Sequence, residues 1–218
     1  MGFPFRDRTE AGRFLAALLR HYAHRPDVQI LALPRGGVPV ALEVAQSLHA
    51  PFDVFVVRKL GVPGHEELAM GAIASGGVRA LNMDIIENLG IPRAVIEAVT
   101  RRERQELARR EQLYRGDRPA PDLHGRIVIL IDDGLATGAT MRAAVAALRK
   151  LRPAKIVVAV PTAAQAVCDE FRNESDEFIC AVTPDPFYAV GAAYESFPQI
   201  TDDQVRAMLE RQPAPHLG

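Results

Sequence analysis

Tryptophan is absent from the 218 residues, and cysteine occurs only twice, as Cys168 and Cys180. With no metal-ligand spacing between them, these read as two buried thiols in a reducing cytosol, one on a predicted helix and one on a predicted strand. Net charge of either sign is missing as well: 26 basic residues face 27 acidic ones. Nothing global therefore asks for a nucleic acid or an anionic membrane. No apolar run is long enough to span a bilayer. The opening Met-Gly-Phe-Pro-Phe-Arg-Asp-Arg lacks the apolar stretch of a secretory leader, and Met1-Gly2 lacks the Ser or Thr of a myristoylation site. A cytoplasmic protein is expected. Also absent are the G-x-G-x-x-G of dinucleotide sites and the Lys-bearing turn of a P-loop. What is present is a chain 48% apolar and 24% charged, near the globular average. Its length suits one domain over 1–218 with a sizeable core.

One stretch organises the rest. Ile127-Val-Ile-Leu-Ile is an unbroken apolar run, as in a central parallel strand buried on both faces. It ends on two adjacent acids, Asp132 and Asp133. Gly134-Leu-Ala136-Thr137-Gly138-Ala139-Thr140 follows, and helical periodicity begins at Met141. Such a turn offers free N–H groups, two hydroxyls and the positive end of a helix dipole, a good site for a phosphate monoester. Carboxylates at the carboxyl end of a strand face the crevice where α/β proteins bind ligands, and they accept hydrogen bonds from ribose hydroxyls. Phosphate and sugar diol side by side suggest a ribose 5-phosphate site.

Val128–Thr140 closely resembles the signature of type I phosphoribosyltransferases, enzymes that use 5-phosphoribosyl-1-pyrophosphate (PRPP). Asp-Asp-Gly-Leu-Ala-Thr-Gly-Ala-Thr looks most like the variant of adenine phosphoribosyltransferases. The resemblance implies PRPP binding through Asp132, Asp133, Ala136, Thr137, Gly138, Ala139 and Thr140. It also implies Mg²⁺, met by Asp132 and Asp133 through water or ribose hydroxyls. The implied fold is α/β: a doubly wound, mainly parallel five-stranded sheet over about 28–183, a flexible-loop hairpin, and a small hood from the N-terminal segment and 184–212. The alternation of strand and helix patterns along the chain points to the same parallel sheet.

Gln29-Ile-Leu-Ala-Leu33 reads as a short strand broken by Pro34-Arg35-Gly36-Gly37, and a helix is expected over Val38–Leu48. Two glycines allow close backbone approach to a ligand. In the resembled family this loop binds pyrophosphate, often through a cis peptide, which puts Arg35, Gly36 and Gly37 there. Phe52–Val57 predicts a second strand closing on Arg58 and Lys59, two cations able to neutralise a pyrophosphate. Leu60–Glu67, rich in Gly, Pro and acids, predicts an irregular, mobile lid. The family carries its catalytic loop here, so Glu66 or Glu67 becomes the candidate general acid/base beside Arg58 and Lys59. Leu68–Ala74 and Val78–Leu81 read as a β-hairpin.

At the N-terminus, Asp7-Arg-Thr-Glu10 predicts a capping box opening a helix to about His21. From Pro92 to Arg115 nothing breaks the pattern, predicting one helix of about 36 Å at about 1.5 Å per residue. Seven Arg and four Glu lie in it. Glu97/Arg101, Glu106/Arg110 and Glu111/Arg115 stand in the favourable order for ion pairs. Its stripe of Val95, Val99, Glu103, Leu107 and Tyr114 is only partly apolar, so the helix is expected along the surface or at the contact of a homodimer. Interleaved Glu argue against an RNA-binding helix. Helices over 139–151 and 163–171 and strands over 155–160 and 177–182 complete the core. A final helix follows the cap Thr201-Asp-Asp-Gln204, and the last six residues read as frayed.

The tail from Pro184 to Phe197 is aromatic in a chain with only four Tyr and nine Phe. Aromatic faces stack flat bases, and exposed backbone reads their edges. The tail resembles the Phe-Val-Val-Gly-Tyr-Ala-Leu-Asp-Tyr segment of hypoxanthine-guanine phosphoribosyltransferases. That resemblance assigns the acceptor to Phe187, Tyr188, Ala189, Val190 and Glu195, with stacking on Tyr188. Two departures disfavour an oxopurine. Ala136 stands where those enzymes carry an acid, and Asn173-Glu174-Ser175-Asp176 lacks their Lys. The function implied is phosphoribosyl transfer from PRPP to a nitrogen of a heterocyclic base. The alternative is a non-catalytic PRPP sensor that binds a protein or RNA partner.

Overall fold

The computed structural model describes residues 4–211. The frayed tail and the reading of Met1-Gly2 lie outside them. In chain order the elements are α1 (Arg8–Leu18), β1 (Val28–Ala32), α2 (Gly37–Leu48), β2 (Phe52–Val54), β3 (Val57–Val62), β4 (His65–Ala74), β5 (Val78–Leu81) and α3 (Met83–Asn88). Then come α4 (Arg93–Arg115), β6 (Ile127–Ile131), α5 (Ala139–Lys150), β7 (Lys155–Thr162), α6 (Gln165–Glu174), β8 (Glu177–Val182) and α7 (Asp202–Glu210). Short 3₁₀ turns follow α1 at Arg20–Tyr22 and precede α7 at Val190–Ala193.

Five strands form a parallel sheet in the order β2-β1-β6-β7-β8. All five residues of β1 and of β6 are buried, because helices cover both faces. Side-chain alternation divides them between two cores. Ile30, Ile129 and Ile131 pack with α1, α2 and α7, while Leu31, Val128 and Leu130 pack with α5 and α6. Burying each of these aliphatic chains stabilises the fold by about 1.5–3 kcal/mol. The buried Gln29 is tolerated because its amide donates to the carbonyls of Ile30 and Pro51. The chain leaves β1 toward one edge and returns at β6 on β1's other side. The loops after β1 and β6 therefore diverge at a topological switch point, where open α/β sheets bind ligands.

A second, antiparallel sheet has the order β3-β4-β5. The run Phe52–Val57 predicts one strand, but the structure divides it. Phe55 N–H still bonds Ala32 of the parallel sheet, whereas Val56 already exchanges bonds with Ser75, in the turn that follows β4 of the other sheet. Phe55 and Val56 are both buried, so the crossing leaves no polar mark in the sequence. Arg58 and Lys59 consequently lie inside β3 rather than at a carboxyl end. The irregular lid expected over 60–67 is also corrected: β3 and β4 pair through it, with register shifts at Gly61 and a turn at Pro63-Gly64. Gly64 takes the positive φ of +81° that the turn demands. The β4–β5 hairpin occurs where expected, joined through Gly76 and Gly77.

The long helix is present as α4, cross-linked to other elements as well as along itself. Glu103, on the partly apolar stripe, is buried and takes Arg58 of β3. Glu97 pairs with Arg79 of β5 rather than with Arg101. Glu106/Arg110 and Glu111/Arg115 form as expected, and buried Arg115 also holds Asp53 at 2.8 Å. Tyr114 donates to Asp202 of α7 at 2.6 Å. Helix α1 is capped by Asp7, which accepts from Glu10 N–H, and α7 has the full Thr201/Gln204 capping box. The N-terminal segment and the tail are bound to each other: Phe5 N–H donates to Ala193, and the N–H groups of Glu195 and Ser196 donate to Phe5 and Arg6.

Candidate functional site

Asp132 and Asp133 extend β6 into the crevice. Asp133 N–H donates to Asp132 Oδ1 at 2.9 Å, so the pair forms its own tight turn. The loop after β1 crosses directly beneath. A Cβ on Gly36 would stand 2.0 Å from Asp133 Oδ2, and one on Gly37 would stand 2.7 Å from the Ile131 carbonyl. Both glycines are thus required by close approach. The Pro34–Arg35 peptide is cis, as the resemblance implied.

The second half of the turn is a cradle. Leu135 N–H donates to the Thr162 carbonyl at 2.9 Å, which ties the loop to the end of β7. Gly138, at φ +71°, makes the left-handed step into α5, with no room for a Cβ against Phe171. Arg142 of α5 donates to the Thr137 carbonyl at 2.6 Å and to Glu174 at 2.8 Å, and it pairs with Glu170. Ala136, Thr137, Ala139 and Thr140 are exposed. Among the described residues, the N–H groups of Ala136, Thr137 and Gly138 donate to no protein atom. Free donors at the positive end of α5 have the chemistry to accept an anion.

Burial, then the neighbouring Asp133 charge, pushes the Asp132 carboxyl well above the ordinary carboxylate range. Burial raises Asp133 too, against the pull of the Arg8 guanidinium. Two adjacent carboxylates cannot both be ionised cheaply, so this pair gains from any ligand that brings hydrogen-bond donors or a cation. Among the described residues no group of three or more His, Cys, Asp or Glu is placed to hold a metal ion. Two carboxylates with hard oxygen atoms suit Mg²⁺ held jointly with substrate oxygens and water.

The remaining expected residues are dispersed. Arg35 is half-buried on the loop after β1. Arg58 is committed to Glu103 through Nε at 2.9 Å and Nη2 at 2.6 Å. Lys59 lies on the opposite face of β3, the face on which Val57 packs with the α5 side of the core. Glu66 and Glu67 are exposed near the tip of the β3–β4 hairpin. Tyr188 is 83% exposed, beside a groove of about 420 Å³ that Phe187 and Ala189 also line. Val190 abuts Gly134, which brings the tail to the cradle, while Glu195 is exposed.

Several contributors carry no sequence signal. Arg8 donates through Nε to Asp133 Oδ2 at 2.8 Å, but in the sequence it is only the second letter of a capping box. Tyr194 donates to the Asp133 carbonyl at 2.6 Å. Thr162, at the end of β7, has a buried hydroxyl with no partner among the described residues, and its methyl lies against Gly134.

Comparison with known proteins bears on the family and the fold. Residues 61–185 match the model of the phosphoribosyl transferase domain. A Mycobacterium tuberculosis H37Rv protein, Rv0571c, provisionally named a phosphoribosyl transferase with no acceptor specified, is 47% identical over 207 residues. That alignment covers 95% of this chain and 46% of the relative, so the chain spans about half the relative's length. The crystal structure of TT1426 from Thermus thermophilus superposes with a TM-score of 0.87 at 39% identity, covering 95% of this chain and 98% of that one. The AQ2163 protein of Aquifex aeolicus, at a TM-score of 0.50 and 14% identity over 80% of this chain and 73% of its own, shares the fold alone.

Proposed function

The chain belongs to the phosphoribosyl transferase family, and on that premise we propose that it moves the 5-phosphoribosyl group of PRPP onto a nitrogen of a heterocyclic base. The observation that carries the reading is the Asp132–Asp133 pair set against a loop of free N–H groups at the switch point of the sheet. The 5-phosphate sits on the N–H groups of 136–140 and the Thr137 and Thr140 hydroxyls. The ribose hydroxyls meet Asp132 and Asp133. The pyrophosphate lies toward Gly36, Gly37 and Arg35, with Lys59 adding charge; Arg58 is already engaged by Glu103. Asp132 and Asp133 would hold Mg²⁺, through water or the ribose hydroxyls, and the ion would supply positive charge to the diphosphate.

In the reaction the C1′–O bond to pyrophosphate breaks and a C1′–N bond forms. Charge leaves with the pyrophosphate and builds on the sugar, so positioned cations and carboxylates are the main demand on the protein. The base nitrogen loses its proton to Glu66 or Glu67 as the hairpin tip closes. The base stacks on Tyr188 beside Phe187 and presents its edge to Ala189, Val190 and Glu195. An amino-purine or another neutral heterocycle suits this site, because Ala136 and the segment 173–176 supply neither the acid nor the Lys that an oxopurine uses. The reading carries a cytoplasmic homodimer with it.

Pyrophosphate release from PRPP, with and without Mg²⁺, against adenine, hypoxanthine and guanine tests the proposal. Mg²⁺-dependent turnover of adenine is expected. Tyr188→Ala should raise the acceptor KM about 5- to 150-fold, the value of about 1–3 kcal/mol of stacking. Robust turnover of hypoxanthine or guanine would reject the exclusion of oxopurines. Tight PRPP binding with no turnover of any base would favour the sensor instead.

A further inference from the structure

Arg8 stands in the first turn of α1, where a helix dipole disfavours a cation. Its side chain is nonetheless only 8% exposed, so what holds it must lie elsewhere. Its Nε donates to Asp133 Oδ2 at 2.8 Å, and one Nη donates to the Pro198 carbonyl at 2.8 Å. The Phe197 ring lies 3.7 Å from its guanidinium carbon, a stacking geometry open to Arg and not to Lys. Two groups of the C-terminal tail, the Pro198 carbonyl and the Phe197 ring, thus hold this N-terminal guanidinium against one carboxylate. Tyr194 fixes the same aspartate through its main-chain carbonyl. With Oδ2 taken by Arg8 and hemmed in by Gly36, Asp133 keeps one oxygen, Oδ1, that accepts no hydrogen bond among the described residues.

We propose that Arg8 is the positioning residue of the ribose-recognising carboxylate. By occupying Oδ2 it fixes the plane of Asp133 and presents Oδ1 to a ribose hydroxyl, so that donor recognition depends on the docking of α1 and the tail. This rests on the donor-site reading above. Arg8 need not touch the ligand. Its effect is confined to ligands that carry the ribose and passes over those that are phosphate alone.

The test is calorimetric binding of ribose 5-phosphate and of inorganic pyrophosphate to wild type, Arg8→Ala, Arg8→Lys, Asp133→Asn and the Arg8→Ala/Asp133→Asn double variant, with thermal melts of each. Ribose 5-phosphate affinity should fall about 10- to 100-fold in Arg8→Ala, the span of a charge-assisted hydrogen bond. Pyrophosphate affinity should hold. Arg8→Lys should recover part of the loss, and in the Asp133→Asn background Arg8→Ala should add little. Equal losses for both ligands, or additive effects in the double variant, would mean that Arg8 is only a tether and would overturn the proposal. If Arg8→Ala does not fold, the Lys variant decides: wild-type ribose 5-phosphate affinity there overturns the assignment, and a selective loss supports it. No ribose 5-phosphate binding by wild type would overturn this inference and the donor-site reading together. A wild-type Arg8→Ala alongside a weakened Asp133→Asn would overturn this inference alone.

Discussion

Gly36 illustrates how much of the site rests on single residues. Its φ of −62° is open to any amino acid, so the requirement is space. A Cβ would sit 2.6 Å from the carboxyl carbon of Asp133 and must push that carboxylate off Arg8. Gly36→Ala is therefore expected to lower stability by about 1–3 kcal/mol, the range for overpacking. It should also weaken PRPP binding at least as much as Asp133→Asn, for which a charge-assisted hydrogen bond sets about 1.5–3 kcal/mol. Calorimetry and a urea titration check both; wild-type values in each would show that the loop simply gives way. The adjacent acids and the paired glycines were legible from sequence because each residue type has few other reasons to stand there. Arg8 was not, since its partner lies 125 residues away and a cation beside an N-cap looks like surface.

At the scale of elements, the parallel strands were readable because a strand buried on both faces must be an unbroken apolar run, as Ile127–Ile131 is. The same rule hid the crossing at Phe55-Val56, where the chain changes sheets without exposing a residue. The lid region misled for the opposite reason. Gly61, Pro63 and Gly64 look like loop, yet Gly61 only marks a register shift and Pro63-Gly64 a turn within a paired hairpin. Helix α4 was readable in extent, but its docking was not, because it binds β3 and β5 through charges. Glu103 is the centre of that docking. Removing one partner of a buried pair costs about 3–5 kcal/mol, and less is expected here since Arg58 is 30% exposed. Glu103→Ala should thus lower stability by about 1–3 kcal/mol. Arg58→Ala should do the same while leaving PRPP affinity within about twofold. Lys59→Ala should weaken PRPP but not ribose 5-phosphate. If instead Arg58→Ala selectively lost PRPP in calorimetry with an unchanged urea midpoint, the ion pair would be yielding to the pyrophosphate.

Across the whole molecule, sequence-distant parts are joined by phenols. Tyr22 donates to Glu177 at the start of β8, Tyr114 ties α4 to α7 through Asp202, and Tyr194 ties the tail to Asp133. All three are buried. Burial first, then the adjacent carboxylate, raises each hydroxyl's pKa, and Tyr114 is pushed up from 10.0 to about 12. In the unfolded chain a phenol ionises near 10. Above that pH the unfolded state has lost protons that the native state keeps, so stability falls as pH rises. The contribution of Tyr114 is complete below pH 10 and drains away toward about 12. The basic side does little to mask this, because only three of the 26 basic residues are Lys, and Arg does not titrate there. Lys155, raised chiefly by its bond to Glu177, shifts stability in the same direction. Urea midpoints measured from pH 8 to 12 should therefore drop steeply past pH 10. Tyr114→Phe removes the bond to Asp202 and should start about 1–2 kcal/mol lower at pH 8. Between pH 10 and 12 it should lose less than the wild type does, so the two curves converge. Parallel curves would mean that the Tyr114 hydroxyl is not what holds α7 to the long helix.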